Sequence, residues 1–234
     1  MCPRPIELLN ASSSSSSTTA SQYPPPTGIE SIVPQTAISK SAYEHAASLL
    51  HPVILNHSIR VYSYARALAV HASSTYSMDP LKLDLLFTAC IFHDIGTTSA
   101  YDGPQRFEVE GADAAVKHLS QHEVSESEKH EVWTAIAIHT SPGIAERIGE
   151  LSRLVRVAVI TDFGRKTEDW NLLLPLKEEL EGMYHRGHIE KVLGDAVVAQ
   201  AIEKPAKAPM VSWPGVMYKA WLAEPDWDGV NKGF

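Results

Sequence analysis

Cysteine is scarce in this chain of 234 residues, which contains only Cys2 and Cys90. Two such widely separated cysteines cannot form the disulfide framework that stabilises many small secreted proteins. The first nine residues are interrupted by two prolines, an arginine and a glutamate, which is not the pattern of a secretory signal. We therefore expect an intracellular, cytoplasmic protein whose thiols are reduced.

Long apolar runs and an excess of positive charge are also missing. No run approaches the roughly 18 apolar residues that a membrane-spanning helix requires. The formal net charge is -8 at pH 7, and no segment offers the basic face that neutralises nucleic-acid phosphates. The sequence predicts neither a membrane nor a nucleic-acid partner.

The chain does have the composition of a globular protein, since 44% of its residues are hydrophobic and 21% are charged. Residues 10–27 are an exception, because they are mostly Ser, Thr and Pro and offer little to bury. We predict a disordered Ser/Pro-rich tail over residues 1–32 and a single catalytic domain over residues 33–234.

Apolar residues in this domain recur every three or four positions, which predicts helices. Asp79 and Pro80 are typical of a helix start, and Ser125 and Glu128 have the spacing of a capping box. No stretch alternates with a period of two between hairpin turns. The sequence therefore predicts an all-α fold, in which an aromatic segment over residues 210–227 packs back on the helices. The predicted helices cover about residues 53–72, 80–95, 107–121, 125–141, 150–162, 172–184 and 189–202.

Five polar residues fall on the apolar faces of these helices: His57, His93, Asp94, His139 and Asp162. A single inward histidine is usually a satisfied core residue, but a buried carboxylate needs a partner. No Lys or Arg shares the apolar stripe of either aspartate on its own helix. A divalent cation would satisfy the carboxylates and the imidazoles together.

The predicted metal ligands are His57, His93, Asp94 and Asp162. Two imidazoles and two carboxylates suit zinc, iron or manganese better than calcium or magnesium. We expect Zn²⁺, with Fe²⁺ or Mn²⁺ as alternatives.

At these residues the chain resembles the HD-domain metalloenzyme superfamily, which has a His, then a His-Asp pair at a helix end, then a distant Asp. The matching segments are Asn-His-Ser-Ile-Arg around His57, Phe-His-Asp-Ile-Gly around His93, and Ile-Thr-Asp-Phe-Gly around Asp162. The chain is most similar to the fungal cyanamide hydratase branch, over about residues 52–164. This resemblance implies an HD-type helical bundle around a buried metal site. It also implies hydration of cyanamide to urea by a hydroxide that the metal holds and that attacks the nitrile carbon.

His139 and Glu108 are the candidate catalytic residues beside the metal. His139 could handle a proton or position the substrate, although it could also be a core histidine bonded to a carbonyl. Helical spacing places Glu108 on the inner face and Glu110 on the outer face, but Glu108 could simply pair with Arg106. Four tryptophans could line a small substrate cavity or could serve as plain core or subunit contacts: Trp133, Trp213, Trp221 and Trp227.

Two other functions stay open at this point. The first is hydrolysis of a nucleotide or another small phosphomonoester, for which Arg60 could reach the edge of the pocket and bind phosphate. The second is a non-catalytic metal-binding regulatory module, with the Ser-rich tail as its regulated part. The Trp-rich C-terminal portion could also form a homo-oligomeric contact.

Overall fold

The computed structural model describes residues 28–234, and within that range it consists of α-helices and short 3-10 turns without any strand. The predicted all-α fold is therefore confirmed. The α-helices are α1 (Ala37–Leu49), α2 (Pro52–His71), α3 (Thr75–Met78), α4 (Pro80–Phe92), α5 (Phe107–Leu119), α6 (Glu126–Ala137), α7 (Ala145–Ile148), α8 (Glu150–Asp162), α9 (Trp170–Met183), α10 (Ile189–Glu203) and α11 (Trp213–Ala223). The 3-10 turns are Ile29–Ser31, Ile95–Thr97, Ser99–Tyr101 and Pro205–Lys207.

The helix starts follow the capping residues that the sequence indicates. The Asp79 carboxylate accepts hydrogen bonds from the first free amides of α4, and Pro80 occupies the first turn. Ser125 and Glu128 form the predicted capping box at the start of α6. Helix α8 has the predicted bounds, and the other long helices differ from prediction by a few residues at their ends.

Helix α1 is absent from the sequence prediction. Its buried face consists of small residues, namely Ser39, Ala42 and Ala46. Thr36 caps the helix, and its hydroxyl donates to the buried carboxylate of Asp84 on α4 over 2.5 Å. This hydrogen bond between distant segments fixes the helix, and a contact of this kind cannot be found from the local spacing of residues.

Helices α2 and α4 form the centre of the bundle. Every residue of α4 from Asp84 to Phe92 is buried, and α2 packs against α4, α8, α9 and α10. Because both helices are enclosed, polar side chains on them are shielded from water. His57 on α2 and His93 at the end of α4 therefore meet inside the molecule.

The structure describes the C-terminal segment in full but only part of the predicted N-terminal tail. Residues 1–27, which make up most of the predicted tail, lie outside the described residues. Ile29 and Ile32 pack against the core. At the other end α11 packs on α10 and buries Met217, which confirms that this segment folds back. A subunit contact there stays a prediction.

None of the helices in residues 28–234 combines the length and the apolar character that a bilayer span requires.

Gly96 allows the turn after α4 to touch the start of α5. A Cβ at this position would lie 2.0 Å from the Phe107 carbonyl oxygen. Gly96→Ala should therefore lower the free energy of unfolding by about 1–3 kcal/mol, as overpacking does. Gly182→Ala is the control, because a Cβ there has open space and alanine favours the helix. Equal stability of the two variants in urea denaturation would contradict the close approach.

Candidate metal centre

Three of the predicted ligands meet at one point in the core: His57, His93 and Asp94, all of which are buried. The Nε2 atoms of His57 and His93 are 3.2 Å apart. Asp94 Oδ2 lies 3.2 Å from His93 Nε2 and 3.7 Å from His57 Nε2. Helix α2 supplies one nitrogen, and the turn after α4 supplies a second nitrogen and a carboxylate. All three groups lie within reach of a single ion.

The end of a helix orients two of the histidines. The last four carbonyls of an α-helix have no partner within the helix. His93, directly after α4, donates from Nδ1 to the Cys90 carbonyl over 2.7 Å. His139, two residues after α6, donates in the same way to the Ile136 carbonyl over 2.7 Å. Because a carbonyl only accepts, both rings are protonated on Nδ1 and leave the Nε2 lone pair free.

His57 is held by a carboxylate. Its Nδ1 donates to Asp162 Oδ2 over 2.6 Å, so its Nε2 also presents a lone pair to the site. Arg60, one turn along α2, donates to Asp162 Oδ1 from Nε over 2.7 Å and to Oδ2 over 2.8 Å. Two hydrogen bonds of this kind orient the carboxylate strongly. The chain of contacts Arg60–Asp162–His57 therefore fixes the angle of the imidazole.

This geometry gives Asp162 a different place from the one that the sequence suggested. Asp162 contacts the Nδ1 edge of His57, whereas the Nε2 edge faces His93, and Asp162 is not among the three residues whose donor atoms meet. Its role as a direct ligand stays a prediction. Its charge is balanced by Arg60, which lies on another helix and was therefore not found by comparing residues within α8. Arg60 in turn is fully buried against Asp162 and does not line the cavity, so it cannot bind phosphate there.

The donor set fits a divalent metal. Neither oxygen of Asp94 accepts a hydrogen bond, although both are buried. The Nε2 lone pairs of His57 and His93 face each other at a distance that only a shared positive charge makes favourable. Buried donors without hydrogens destabilise a core unless a cation or a proton lies between them. His57, His93 and Asp94 could hold such an ion.

The pKa shifts at the site also indicate that a positive charge is favourable there. Burial lowers the pKa of His93, but the neighbouring Asp94 carboxylate and the hydrogen bond that the ring donates to the Cys90 carbonyl outweigh burial, and the net shift is upward. Burial raises the pKa of Asp94, but His93 and the other imidazoles reduce it to about 2. Burial also raises the pKa of Asp162, and hydrogen bonds from Arg60 and His57 more than reverse this effect.

His139 is the nearest further donor. Its Nε2 lies 3.7 Å from Asp94 Oδ1, and its ring packs edge-on against His93. Burial and the nearby His93 lower the pKa of His139 to about 3, so the ring is neutral at physiological pH. Because Nδ1 donates to the Ile136 carbonyl, Nε2 offers the site a hydrogen-bond acceptor. The proton-handling role of His139 stays a prediction.

A cavity of about 460 Å³ opens onto the site, and His57, His93, Asp94 and His139 contribute to its lining. Most of the wall is apolar, including Phe107, Phe163 and Trp213. Two arginines also line the cavity, namely Arg156 and Arg165. Neither was predicted, because Arg156 lies six positions before Asp162 on a different face of α8 and Arg165 lies in the loop after α8. Of the four candidate tryptophans, only Trp213 is in the lining.

Glu108 is buried, as predicted, but it does not line the cavity. Burial raises the pKa of its carboxyl, and Arg106, 3.5 Å from Oε2, partly opposes this shift. Glu108 Oε1 accepts a hydrogen bond from Thr140, which does line the cavity. Glu110 is partly exposed and accepts a hydrogen bond from the Gln105 amide. Helical spacing therefore identified the inner acid correctly.

Residues 54–163, a little under half of the chain, match the profile of the HD domain family. This segment is similar to HD domains. The matched range runs from α2 to the end of α8 and includes the whole histidine and aspartate cluster. HD domains bind divalent metals and are generally enzymes of the hydrolase type. No curated protein matches the chain significantly.

Loss of the central carboxylate should abolish metal binding. A saturating divalent ion should stabilise the wild type by mass action, by about 2.7 kcal/mol at a hundredfold excess over Kd. Asp94→Asn removes an anionic ligand and should show little of this stabilisation in thermal denaturation with and without Zn²⁺. Asp113→Asn, on the exposed face of α5, is the control and should respond like the wild type. Equal stabilisation of both variants would place the ion elsewhere.

The contact between Arg60 and Asp162 should matter for both stability and metal affinity. Arg60→Met leaves a buried carboxylate without its main partner, which should cost about 3–5 kcal/mol. Because His57 then loses its fixed support, metal affinity should fall about 10–100-fold. Arg66→Met, on the exposed side of α2, controls for loss of an arginine from this helix. Isothermal titration with Zn²⁺ that finds unchanged affinity in Arg60→Met would remove Asp162 from the support of the site.

Proposed function

We propose that this protein is a metal-dependent enzyme that adds water to cyanamide and forms urea. The observation that supports this most directly is the meeting of the His57, His93 and Asp94 donors at the inner end of an apolar cavity. A divalent ion, once bound, supplies Lewis acidity, which makes water nucleophilic near neutral pH. The resemblance to cyanamide hydratases supplies the substrate.

The residues around the cluster would prepare the site for this reaction. Asp162 holds His57 in the tautomer that directs Nε2 inward, and the carbonyls of Cys90 and Ile136 do the same for His93 and His139. Phe107 and Trp213 give the wall of the cavity apolar surface. Preorganised donors in an apolar site act more strongly on developing charge than donors in water do.

The charges of the lining favour an uncharged substrate beside the cluster. Arg156 donates to Glu146 and to the His139 carbonyl, so a carboxylate already balances its charge. Arg165 is exposed, and it donates to the Phe234 carbonyl. A phosphomonoester dianion would need free cations close to the metal. Among the described residues of the lining, none supplies such a cation next to Asp94.

The size of the cavity favours a second candidate function, hydrolysis of a nucleotide or another small phosphomonoester. A volume of about 460 Å³ lies in the range of roughly 300–1,000 Å³ that holds drug-sized ligands. Cyanamide has only three heavy atoms and would fill a small part of it. Arg165, which forms no ion pair with an Asp or Glu side chain in the described structure, could bind phosphate at the mouth of the cavity.

A substrate panel separates the two functions. Urea formation from cyanamide and phosphate release from nucleoside monophosphates should be measured for the wild type before chelation, after chelation, and after Zn²⁺ is restored. We expect urea formation that chelation abolishes and that Asp94→Asn lowers at least 100-fold, with Asp113→Asn as the active control. Arg165→Gln should leave urea formation unchanged because cyanamide carries no charge.

The other outcomes are also informative. Urea formation that survives chelation and Asp94→Asn would contradict the proposal. Phosphate release that depends on the metal and falls in Arg165→Gln would support the second candidate. Turnover of neither substrate by metal-loaded protein would favour a non-catalytic module.

A further inference from the structure

Thr140 is a polar residue of the cavity wall that was not among the candidates from the sequence. It follows His139 at the end of α6 and lines the same cavity as the metal cluster. Its Oγ1 donates a hydrogen bond to Glu108 Oε1 over 2.7 Å. A hydroxyl has one proton and two lone pairs. Since the proton is used by Glu108, the lone pairs remain to accept a hydrogen bond.

Glu108 is fully buried, and a buried carboxylate is costly unless it has partners. Arg106 Nε lies 3.5 Å from Oε2 and balances the charge, but Oε2 accepts no hydrogen bond. The Thr140 hydroxyl is therefore the side-chain hydrogen-bond donor to this carboxylate. Arg106 itself donates to the Ala137 carbonyl and ties the start of α5 to the end of α6. These contacts hold Glu108 in place beside Thr140.

We propose that Thr140 contacts the substrate and that Glu108 is its positioning residue. Glu108 holds the hydroxyl proton, so that Oγ1 turns its lone pairs toward the cavity and accepts an N–H group of the substrate. This inference rests on the proposed hydration of cyanamide, whose amino group is such a donor. A phosphate dianion presents only acceptor oxygens and would repel an acceptor in this position. The substrate class that fits Thr140 is therefore an amino-bearing nitrile.

Two substitutions test the role of the hydroxyl. Thr140→Val removes it with little change in volume and should raise KM for cyanamide about 10-fold, the value of one hydrogen bond. Thr140→Ser keeps the hydroxyl and should stay within about twofold of the wild type. Thr88→Val is the matched control, because Thr88 is a buried hydroxyl on α4 outside the cavity. An unchanged KM in Thr140→Val, or equal impairment of the Val and Ser variants, would overturn the proposal.

Two further substitutions test the role of Glu108. Glu108→Gln retains an oxygen that accepts the Thr140 hydrogen bond, whereas Glu108→Met has similar length and no such acceptor. We expect Glu108→Met to raise KM as Thr140→Val does, and Glu108→Gln to recover most of the wild-type value. Zn²⁺ affinity should be unchanged in both variants, which separates a positioning role from damage to the metal centre. Equal KM values for the two variants, or lost Zn²⁺ affinity, would contradict the role.

A readout that needs no turnover separates this inference from the proposed function. Carbon NMR of the labelled Glu108 carboxyl should show a higher pKa in Thr140→Val, because a hydrogen bond to the charged form is lost. The pKa in Thr140→Ser should match the wild type. If the wild type forms no urea, the proposed function fails, but the titration still reports the link between Thr140 and Glu108. An unchanged pKa in Thr140→Val would remove that link whatever the activity.

Discussion

The structure depends on one electrostatic constraint: several lone pairs converge on a buried point and require a positive charge. His57 and His93 point their Nε2 atoms at each other, and Asp94 adds a carboxylate without a hydrogen-bond donor. A core of this kind is unstable as a purely structural arrangement, because buried polar groups in native proteins are almost always satisfied. The same arrangement becomes favourable when a divalent ion is present, so that metal affinity and fold stability are coupled.

The surroundings of the cluster are arranged so that each donor keeps its lone pair directed inward. Backbone carbonyls at two helix ends bind His93 and His139, and the Asp162 carboxylate binds His57. Asp162 in turn needs the buried guanidinium of Arg60. The buried groups of the site are thus paired in series, His57 with Asp162 and Asp162 with Arg60. Removal of any one partner would leave a buried polar or charged group unpaired, which destabilises the fold. Helix ends matter here because that is where free carbonyls are available.

Much of the fold could be predicted from the sequence, because amphipathic periodicity and caps are local properties. Helix α8 begins and ends where its apolar stripe does, and α4 begins at the predicted cap Asp79. The sequence predicted which residues of the cluster face inward. It did not predict how they pair, since Arg60 and Asp162 are 102 positions apart and contact each other only in the folded chain. For the cavity wall the sequence offered four candidate tryptophans, and only the fold shows that Trp213 is the one that reaches it, from a distant helix.

The polarity of the cavity wall constrains the substrate more than its volume does. Volume sets only an upper limit on the size of a ligand, whereas each buried polar group requires a complementary partner. In this cavity the Thr140 hydroxyl gives its proton to Glu108 and Arg156 is already paired with Glu146. The wall therefore combines apolar surface with an acceptor at Thr140 and an arginine whose charge is already balanced. A ligand that donates hydrogen bonds and carries no negative charge matches such a wall, and an amino nitrile has both properties.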